Sequence, residues 1–271
     1  MVSLEMLQDK VRWVRRETLK LHKYAREVRI ASCLSSVEIL VALYYGQILR
    51  YDPRDIHSEQ RDRFIASKGH GAISLYPILA DLGFFHMEEL TRIGTKDSFL
   101  GVIPDTTVPG IETINGSLGH GLGVACGIAL ALERKRLNRN VFVLCGDGEL
   151  NEGAIWEAIM LAAHHRLNHL ILVVDNNKIS MLDYQKNILG LDPLRAKFEA
   201  FNWEVEEVDG HDIGGLCTSL DAFRNAAGDS PKVLIANTQK GRGIEQLEND
   251  PLCHVKSLTN DEIDRVLSKW T

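Results

Sequence analysis

Two polar motifs follow two buried apolar runs in the middle of the chain. Residues 141–144 lead into Gly146-Asp147-Gly148, and residues 170–174 lead into Asp175-Asn176-Asn177. Asp147 and Asn177 are 30 positions apart, about the length of one strand–helix–strand unit. An aspartate carboxylate and an asparagine amide are hard oxygen donors, which hold Mg²⁺ beside phosphate oxygens. The pattern therefore indicates a diphosphate bound through a divalent cation.

The residues around Asp147 suit a phosphate ligand. Gly146 and Gly148 have no side chain and let the backbone approach a ligand closely. A helix predicted to begin near Asn151 would add N–H donors and the positive end of its dipole. The sequence holds no GxxxxGK[ST] motif, and the glycine-rich run at 116–123 does not fit GxGxxG. Taken alone, each of the two motifs would also fit an ordinary tight turn.

The segments that position these motifs alternate between strands and helices. Apolar runs predict strands at 141–144, 170–174, 203–208 and 233–236, and periodicity predicts a helix over 151–165. This alternation predicts an α/β fold, with a parallel β-sheet flanked by helices on both faces. Ligands of such sheets bind at the carboxyl ends of the strands, where both motifs lie.

The terminal parts of the chain are predicted to be helical. An apolar stripe runs from Leu4 to Val28, and a second helix is predicted over 36–49. A capping box, Thr259 to Glu262, predicts the start of a final helix. Because the sequence contains no repeat or linker, a single domain over 1–271 is expected.

Composition excludes several classes of protein. Apolar residues make up 45% and charged residues 25% of the 271 positions, an ordinary globular balance. A net charge of −6 argues against nucleic acid as a partner. No apolar run is long enough to span a membrane and no signal peptide is recognisable, so a cytoplasmic protein is expected. The five cysteines include no CxxC pair, which predicts free thiols and neither a disulfide framework nor a zinc site.

Four separated stretches resemble the transketolase family, in the family's order. They are residues 61–84, residues 109–131, the sequence GDGELNEGAIWEA from Gly146, and residues 237–254. The resemblance covers nearly the whole chain. It implies the thiamine diphosphate-binding fold, as a single diphosphate-binding domain, with thiamine diphosphate and Mg²⁺ as cofactors.

The resemblance also implies roles for individual residues. Asp147, Asn177 and the backbone carbonyl of Ile179 would be the Mg²⁺ ligands, and the backbone N–H of Gly148 would contact the diphosphate. Gly146 belongs to the same cofactor-binding motif.

Further matches place residues around the cofactor and substrate. His70 and His254 match histidines beside the diphosphate and substrate, and the resemblance implies that both bind the cofactor and act in catalysis. An imidazole there donates to a phosphate oxygen or moves protons. Glu152 matches a glutamate at the subunit interface that couples two active sites, and it would also suit a helix dipole. Gly116 and Leu118 match the stretch that contacts the aminopyrimidine.

Five other histidines are not assigned to the cofactor site. His120 stands where the family usually has glutamine. For His164, His165 and His169, surface or packing roles are favoured over metal binding. His211 lies in a strand-to-helix turn and is interpreted as structural.

Two departures from the family concern the substrate. Arg29 replaces the histidine of the family's early motif, and residues 101–105 contain no histidine where the second substrate histidine is expected. Arg29 could pair with a carboxylate or phosphate of the substrate, or be an ordinary surface residue. Because a site loses discrimination when its hydrogen-bonding groups are replaced, an altered donor or acceptor is expected.

A third departure is length. A transketolase continues into a pyrimidine-binding domain, whose glutamate activates the cofactor. The chain therefore resembles the N-terminal subunit of a split enzyme, with a C-terminal transketolase-like partner in a heterotetramer. The implied activity is transfer of a two-carbon ketol unit between small molecules, from a ketose-type donor to an aldehyde.

Three alternatives remain open. One is a decarboxylative carboligase subunit like 1-deoxyxylulose-5-phosphate synthase, which the run at 30–34 also suggests. Another is a non-catalytic, cofactor-binding subunit. The third is a nucleotide-binding protein in which Asp147 and Asn177 hold Mg²⁺ for another diphosphate.

Overall fold

A computed structural model describes residues 2–114, 116–248 and 250–270. Its centre is a five-stranded, entirely parallel sheet in the order β1-β2-β3-β5-β4. The strands are β1 (Arg63–Ala66), β2 (Val141–Gly146), β3 (Leu170–Asn176), β4 (Glu204–Asp209) and β5 (Lys232–Asn237).

Helices surround the sheet and connect its strands. Within the described residues, the α-helices are α1 (Leu4–Tyr24), α2 (Ile30–Leu34), α3 (Val37–Tyr45), α4 (Leu75–Asp81), α5 (Gly121–Arg134), α6 (Gly153–His164), α7 (Gln185–Ile188), α8 (Leu194–Ala200), α9 (Ile213–Asn225), α10 (Glu245–Glu248) and α11 (Asn260–Lys269). Short 3₁₀ turns occur at Gly69–Gly71, Met87–Arg92 and Gly148–Asn151.

Two apolar clusters lie on opposite faces of the sheet. Successive residues of a strand point to opposite sides, so Phe142 and Leu144 join one cluster while Val141 and Val143 join the other. Helices α1 to α4 and α9 contribute to the first cluster, and α5, α6 and α8 to the second. The predicted α/β fold, with helices on both faces of a parallel sheet, is thus confirmed.

The strand predictions were correct at four places and missed one strand. Strands β2, β3, β4 and β5 lie at the predicted runs, with β4 shifted to Glu204–Asp209. Strand β1 was missed because it contains four residues and begins with a charged one, Arg63. It lies at one edge of the sheet and pairs only with β2 among the described strands.

Three helix predictions need correction at their ends. The N-terminal stripe was read to Val28, but α1 ends at Tyr24 and Ala25 has an extended backbone. The second helix ends at Tyr45, because Gly46 follows and Gln47 has a φ of 60°.

The helix after Asp147 also begins later than predicted. A 3₁₀ turn, Gly148–Asn151, comes first, and α6 starts at Gly153. The backbone next to Asp147 is therefore a turn and not the first turn of α6. The capping box of α11 is present as predicted, since Thr259 and Glu262 bond to each other's backbone N–H.

Two further features of the structure concern the cysteines and the apolar length of the helices. All five cysteines are free, and four of them are buried. No helix within residues 2–114, 116–248 and 250–270 is long and apolar enough to cross a membrane.

A buried histidine ties α1 to the segment that follows residue 254. The Nε2 atom of His22 accepts the backbone N–H of Leu258 at 3.1 Å and lies 3.2 Å from the Ser257 hydroxyl. Burial, followed by the charge of Arg26, lowers the pKa of His22 from 6.5 to about 4. Between those two pH values the unfolded chain binds a proton that the folded chain does not, so this contribution to stability is lost as the pH falls.

We therefore expect His22→Gln to flatten the pH dependence of folding. The free energy of unfolding of the parent should fall on going from pH 6.5 to pH 4.5, by up to about 1.4 kcal/mol per pH unit for each such proton. In the variant, the free energy of unfolding should depend less steeply on pH, because the proton bound by unfolded His22 no longer contributes. His70 and His254 should still contribute to that dependence. Urea unfolding at several pH values measures it, and equal slopes in parent and variant would contradict the assignment.

Candidate active site

A cavity of about 440 Å³ opens at the carboxyl ends of the strands. It collects every residue selected for the site from the sequence. These are Arg29, His70, Gly116, Leu118, Gly146, Asp147, Gly148, Glu152, Asn177, Ile179 and His254. Gly146 is the last residue of β2, and Asn177 follows the last residue of β3. The parallel sheet thus brings residues from distant parts of the chain to one edge.

Asp147 is a buried carboxylate. It accepts the backbone N–H of Lys178 at 2.5 Å and that of Gly148 at 2.8 Å. It forms no ion pair with any of the described residues, and burial and the negative charge of Asp175 raise its pKa to about 6. A buried carboxylate in this state is stabilised by any cation that enters the cavity beside it.

Two further residues with oxygen donors line the same cavity as Asp147. The Asn177 amide oxygen accepts the N–H of Ile179 at 3.2 Å, and the carbonyl oxygen of Ile179 faces the ammonium of Lys240 at 2.9 Å. The described residues contain no cluster of three or more His, Cys, Asp or Glu side chains that could hold a metal. One carboxylate, one amide and one carbonyl instead form a hard oxygen set, which fits Mg²⁺ completed by phosphate oxygens and water.

Two buried lysines give the cavity positive charge. Lys68 forms an ion pair with Asp175 and donates to the carbonyl oxygen of Ser32 at 3.0 Å. Burial opposes ionisation of Asp175, but the charge of Lys68 and hydrogen bonds outweigh it and lower the pKa of that carboxyl. Lys240 enters the cavity from the loop after β5 and has no carboxylate within ion-pair distance among the described residues. This balance suits an anionic ligand such as a diphosphate.

The rings of two histidines pack edge to face in the cavity lining. The ring centroids of His70 and His254 are 5.1 Å apart, and the Ser32 hydroxyl lies 3.2 Å from Nδ1 of His254. Burial, followed by the charge of Lys68, lowers the pKa of His70 to about 3. Burial, followed by the charge of Lys240, lowers the pKa of His254 to about 4. Both imidazoles are therefore neutral near pH 7, and each can donate or accept a proton.

The positions that lack the family's histidines also line the cavity. Arg29 is exposed there, and its charge contributes to the lowered pKa of His254. Ile103 places an apolar side chain, 39% exposed, on the same wall. The cavity lining thus includes a fixed cation and an apolar side chain at these two positions.

Glu149 was not recognised from the sequence, although it supports the turn after β2. It is buried, and its carboxylate accepts from the Ser67 hydroxyl, from Gly119 N–H at 2.9 Å and from Gly146 N–H at 3.2 Å. Its neighbour Glu152 is exposed at the start of α6, and its side chain makes no capping bond there. Glu149 therefore supports the turn, whereas the Glu152 side chain is exposed.

Gly119 permits the close approach of its loop to α6. Its φ is +85°, and a Cβ there would lie 2.6 Å from the Cβ of Glu152. His120, in the same loop, places Nδ1 3.1 Å from the carbonyl oxygen of Leu118, and it is not among the residues lining the cavity.

Ser32, Lys68 and Lys240 line the cavity and were also missed. A signal for the two lysines existed, because each lies two or three residues beyond the end of a strand, β1 for Lys68 and β5 for Lys240. Strand β1 was not recognised, so Lys68 was not placed at the carboxyl edge of the sheet.

Comparison with known proteins identifies the family of the chain. The family profile described as transketolase, thiamine diphosphate binding domain, matches residues 29–271. The chain is 39% identical over 270 residues to one of the subunits of apulose-4-phosphate transketolase from Actinobacillus succinogenes, covering 99% of this chain and 97% of the relative. It is 35% identical over 256 residues to a 6-deoxy-6-sulfo-D-fructose transketolase subunit from a Clostridium species, covering 94% and 92%.

Longer relatives match over part of their length. The chain is 32% identical to human transketolase over 98% of its own length but spans 42% of that relative. The crystal structure of transketolase from Campylobacter jejuni superposes with a TM-score of 0.92 at 27% identity, covering 99% of this chain and 43% of that one. The chain therefore belongs to the transketolase family and corresponds to its N-terminal, thiamine diphosphate-binding part.

Proposed function

We propose that the chain is the N-terminal subunit of a thiamine diphosphate- and Mg²⁺-dependent transketolase-like enzyme. It transfers a two-carbon ketol unit from a ketose-type donor to an aldehyde acceptor. The observation that carries the proposal is the buried carboxylate of Asp147, which lacks an ion pair among the described residues and lies in one cavity with Asn177 and Ile179. A divalent cation would satisfy that carboxylate, and Lys240 adds positive charge for a diphosphate.

Each residue has a stated task in this proposal. Asp147, Asn177 and the carbonyl of Ile179 hold the metal, and Gly146 and Gly148 let the diphosphate approach the backbone. When bound, thiamine diphosphate would supply the nucleophilic carbon that accepts the two-carbon unit from the donor. His70 and His254 bind the donor's oxygens and move protons to and from them. Gly116 and Leu118 contact the aminopyrimidine.

The proposed enzyme needs a second chain. The relative from Actinobacillus succinogenes, itself named as a transketolase subunit, has nearly the same length as this chain, whereas human transketolase is more than twice as long. We propose a C-terminal transketolase-like partner with a pyrimidine-binding domain, assembled as a cytoplasmic heterotetramer. Exposed apolar side chains near the cavity support it, namely Ile114 at 77%, Met181 at 59% and Leu182 at 55% exposure. Glu152 would lie at the interface and couple two active sites.

We expect an altered substrate, recognised partly by Arg29. The assembled enzyme should turn over xylulose 5-phosphate with ribose 5-phosphate poorly, because a guanidinium and an apolar side chain stand where two imidazoles would bind the sugar. The double variant Arg29→His, Ile103→His should raise kcat/KM for that pair at least about tenfold, the effect of one or two added hydrogen bonds. Arg54→His, at a residue with an 89% exposed side chain outside the cavity lining, is the matched control. Efficient turnover by the parent would contradict the altered substrate.

The experiment that tests the function is a ketol-transfer assay on the complex isolated with its partner. Transfer that requires both Mg²⁺ and thiamine diphosphate is the expected result. Release of CO₂ from pyruvate would instead identify a decarboxylative carboligase. Mg²⁺-dependent cofactor binding without ketol transfer would favour the non-catalytic, cofactor-binding subunit, and displacement of the cofactor by adenine nucleotides would favour a nucleotide-binding protein.

A further inference from the structure

The loop that carries Lys240 is attached to the protein at each of four consecutive residues. Thr238 bonds through its hydroxyl to Asp175, and Gly241 N–H donates to the carbonyl oxygen of Ala31 at 3.0 Å. Lys240 Nζ donates to the carbonyl oxygens of Ile179 at 2.9 Å and Ser180 at 3.4 Å. These partners all belong to the cavity wall or to strand β3 and α2 beside it.

The fourth attachment comes from outside the cavity. The backbone N–H of Gln239 donates to Nε2 of His211 at 2.8 Å, and His211 lies in the turn between β4 and α9. Because Nε2 is the acceptor, the proton of the neutral ring resides on Nδ1. Nδ1 lies 3.3 Å from Oε2 of Glu38. That contact falls short of ordinary hydrogen-bond geometry, so its main effect is electrostatic orientation of the ring.

Glu38 is itself held in place by an ion pair, in which one guanidinium nitrogen of Arg15 bonds to both carboxylate oxygens. Arg15 on α1 donates to Oε1 of Glu38 at 2.8 Å and to Oε2 at 3.0 Å, with side-chain exposures of 12% and 6%. Burial opposes ionisation of Glu38, but the contact with His211 and the charge of Arg15 outweigh it and lower the pKa of that carboxyl. The carboxylate thus remains charged beneath the imidazole.

We propose that His211 is a positioning residue for the cofactor site, which orients the loop at 238–241 so that Lys240 reaches into the cavity. Arg15 and Glu38 hold the imidazole, the imidazole holds the backbone of Gln239, and the next residue places its ammonium against the diphosphate-binding wall. From the sequence His211 was interpreted as structural. If the proposed function holds, on which this role rests, His211 stabilises the loop that carries a cofactor-binding lysine.

A double-mutant cycle on cofactor affinity tests the proposal. Binding of thiamine diphosphate in the presence of Mg²⁺ is measured by titration calorimetry on the isolated complex. His211→Ala should weaken binding about tenfold in the parent and less than twofold in the Lys240→Ala background. His211→Gln, whose amide oxygen can still accept the Gln239 N–H, should restore affinity to within threefold. His57→Ala, at an exposed residue before β1, should have no effect.

Hydrogen exchange of backbone amides provides a second measurement, which does not require bound cofactor. His211→Ala should speed exchange of the Gln239 and Gly241 amides at least tenfold and leave the amides of β2 unchanged. Unchanged exchange, or an equal loss of affinity with and without Lys240, would overturn the proposal. If the parent itself bound no cofactor, the proposed function would fall, while the exchange data would still decide whether His211 fixes the loop.

Discussion

Replacing Asp147 by asparagine should abolish Mg²⁺-dependent binding of thiamine diphosphate without unfolding the chain. The substitution removes the negative charge that attracts the cation, and we expect affinity to fall at least about 100-fold, since even outer-shell changes at metal sites cost 10 to 100-fold. Titration calorimetry with Mg²⁺ and thiamine diphosphate measures the loss.

The stability of the same variant should move in the opposite direction from its affinity. The pKa of Asp147 is raised to about 6 by burial and by Asp175, so its ionised form opposes folding of the metal-free chain above that pH. Asp147→Asn removes this cost and keeps one oxygen for the neighbouring N–H groups. We therefore expect the metal-free variant to unfold at pH 8 no more easily than the parent.

A matched control separates charge at the site from charge in general. Asp229 has a 69% exposed side chain and forms an ion pair with Arg166. Neither residue lines the cavity. Asp229→Asn should leave cofactor affinity within twofold. Retention of full affinity by Asp147→Asn would show that the carboxylate holds no metal.

Truncating His254 should remove most of the catalytic rate while leaving the cofactor bound. We expect His254→Ala in the assembled enzyme to lower kcat by about 10² to 10⁴, the usual contribution of a positioned acid or base. Affinity for thiamine diphosphate should fall at most about tenfold, the effect of one lost hydrogen bond, because the proposed metal-binding residues and both lysines remain. Steady-state kinetics with a calorimetric measurement of cofactor affinity distinguishes the two effects.

The pH dependence of the catalytic rate gives a further test of His254. Its pKa lies near 4, so the imidazole stays neutral through pH 6 and the parent rate should show no loss there from protonation of His254. His86→Ala, at an exposed residue before the turn Met87–Arg92, serves as the control and should keep the parent rate. A kcat for His254→Ala within threefold of the parent would exclude a role in proton transfer.

The sequence sufficed for the centre of the fold and for the shared location of the site residues. Strands β2 and β3 are buried on both faces, so they appear as continuous apolar runs that end in polar motifs. Parallel strands bring those ends together, which is why Asp147 and Asn177 could be placed at one edge from the sequence alone.

The supporting contacts depend on tertiary packing, which a local pattern does not encode. Lys68 and Asp175 form a buried ion pair although they are 107 positions apart in the sequence. Lys240 donates to the carbonyl oxygen of Ile179, which lies 61 positions earlier. The predicted end of the second helix was wrong for a related reason. Gly46 and Gln47, whose φ is positive, end α3, although apolar residues continue beyond them. Glu149 lies within the run that begins at Gly146, and the sequence did not distinguish it. Its three hydrogen bonds in the structure show that it supports the turn after β2.

The most direct test of the proposed function is to isolate the tagged chain from its native cells, with Mg²⁺ present throughout, and to assay thiamine diphosphate in the product. We predict bound cofactor together with a second, transketolase-like chain in equal amount. A chain that is isolated alone and without thiamine diphosphate would contradict the proposal.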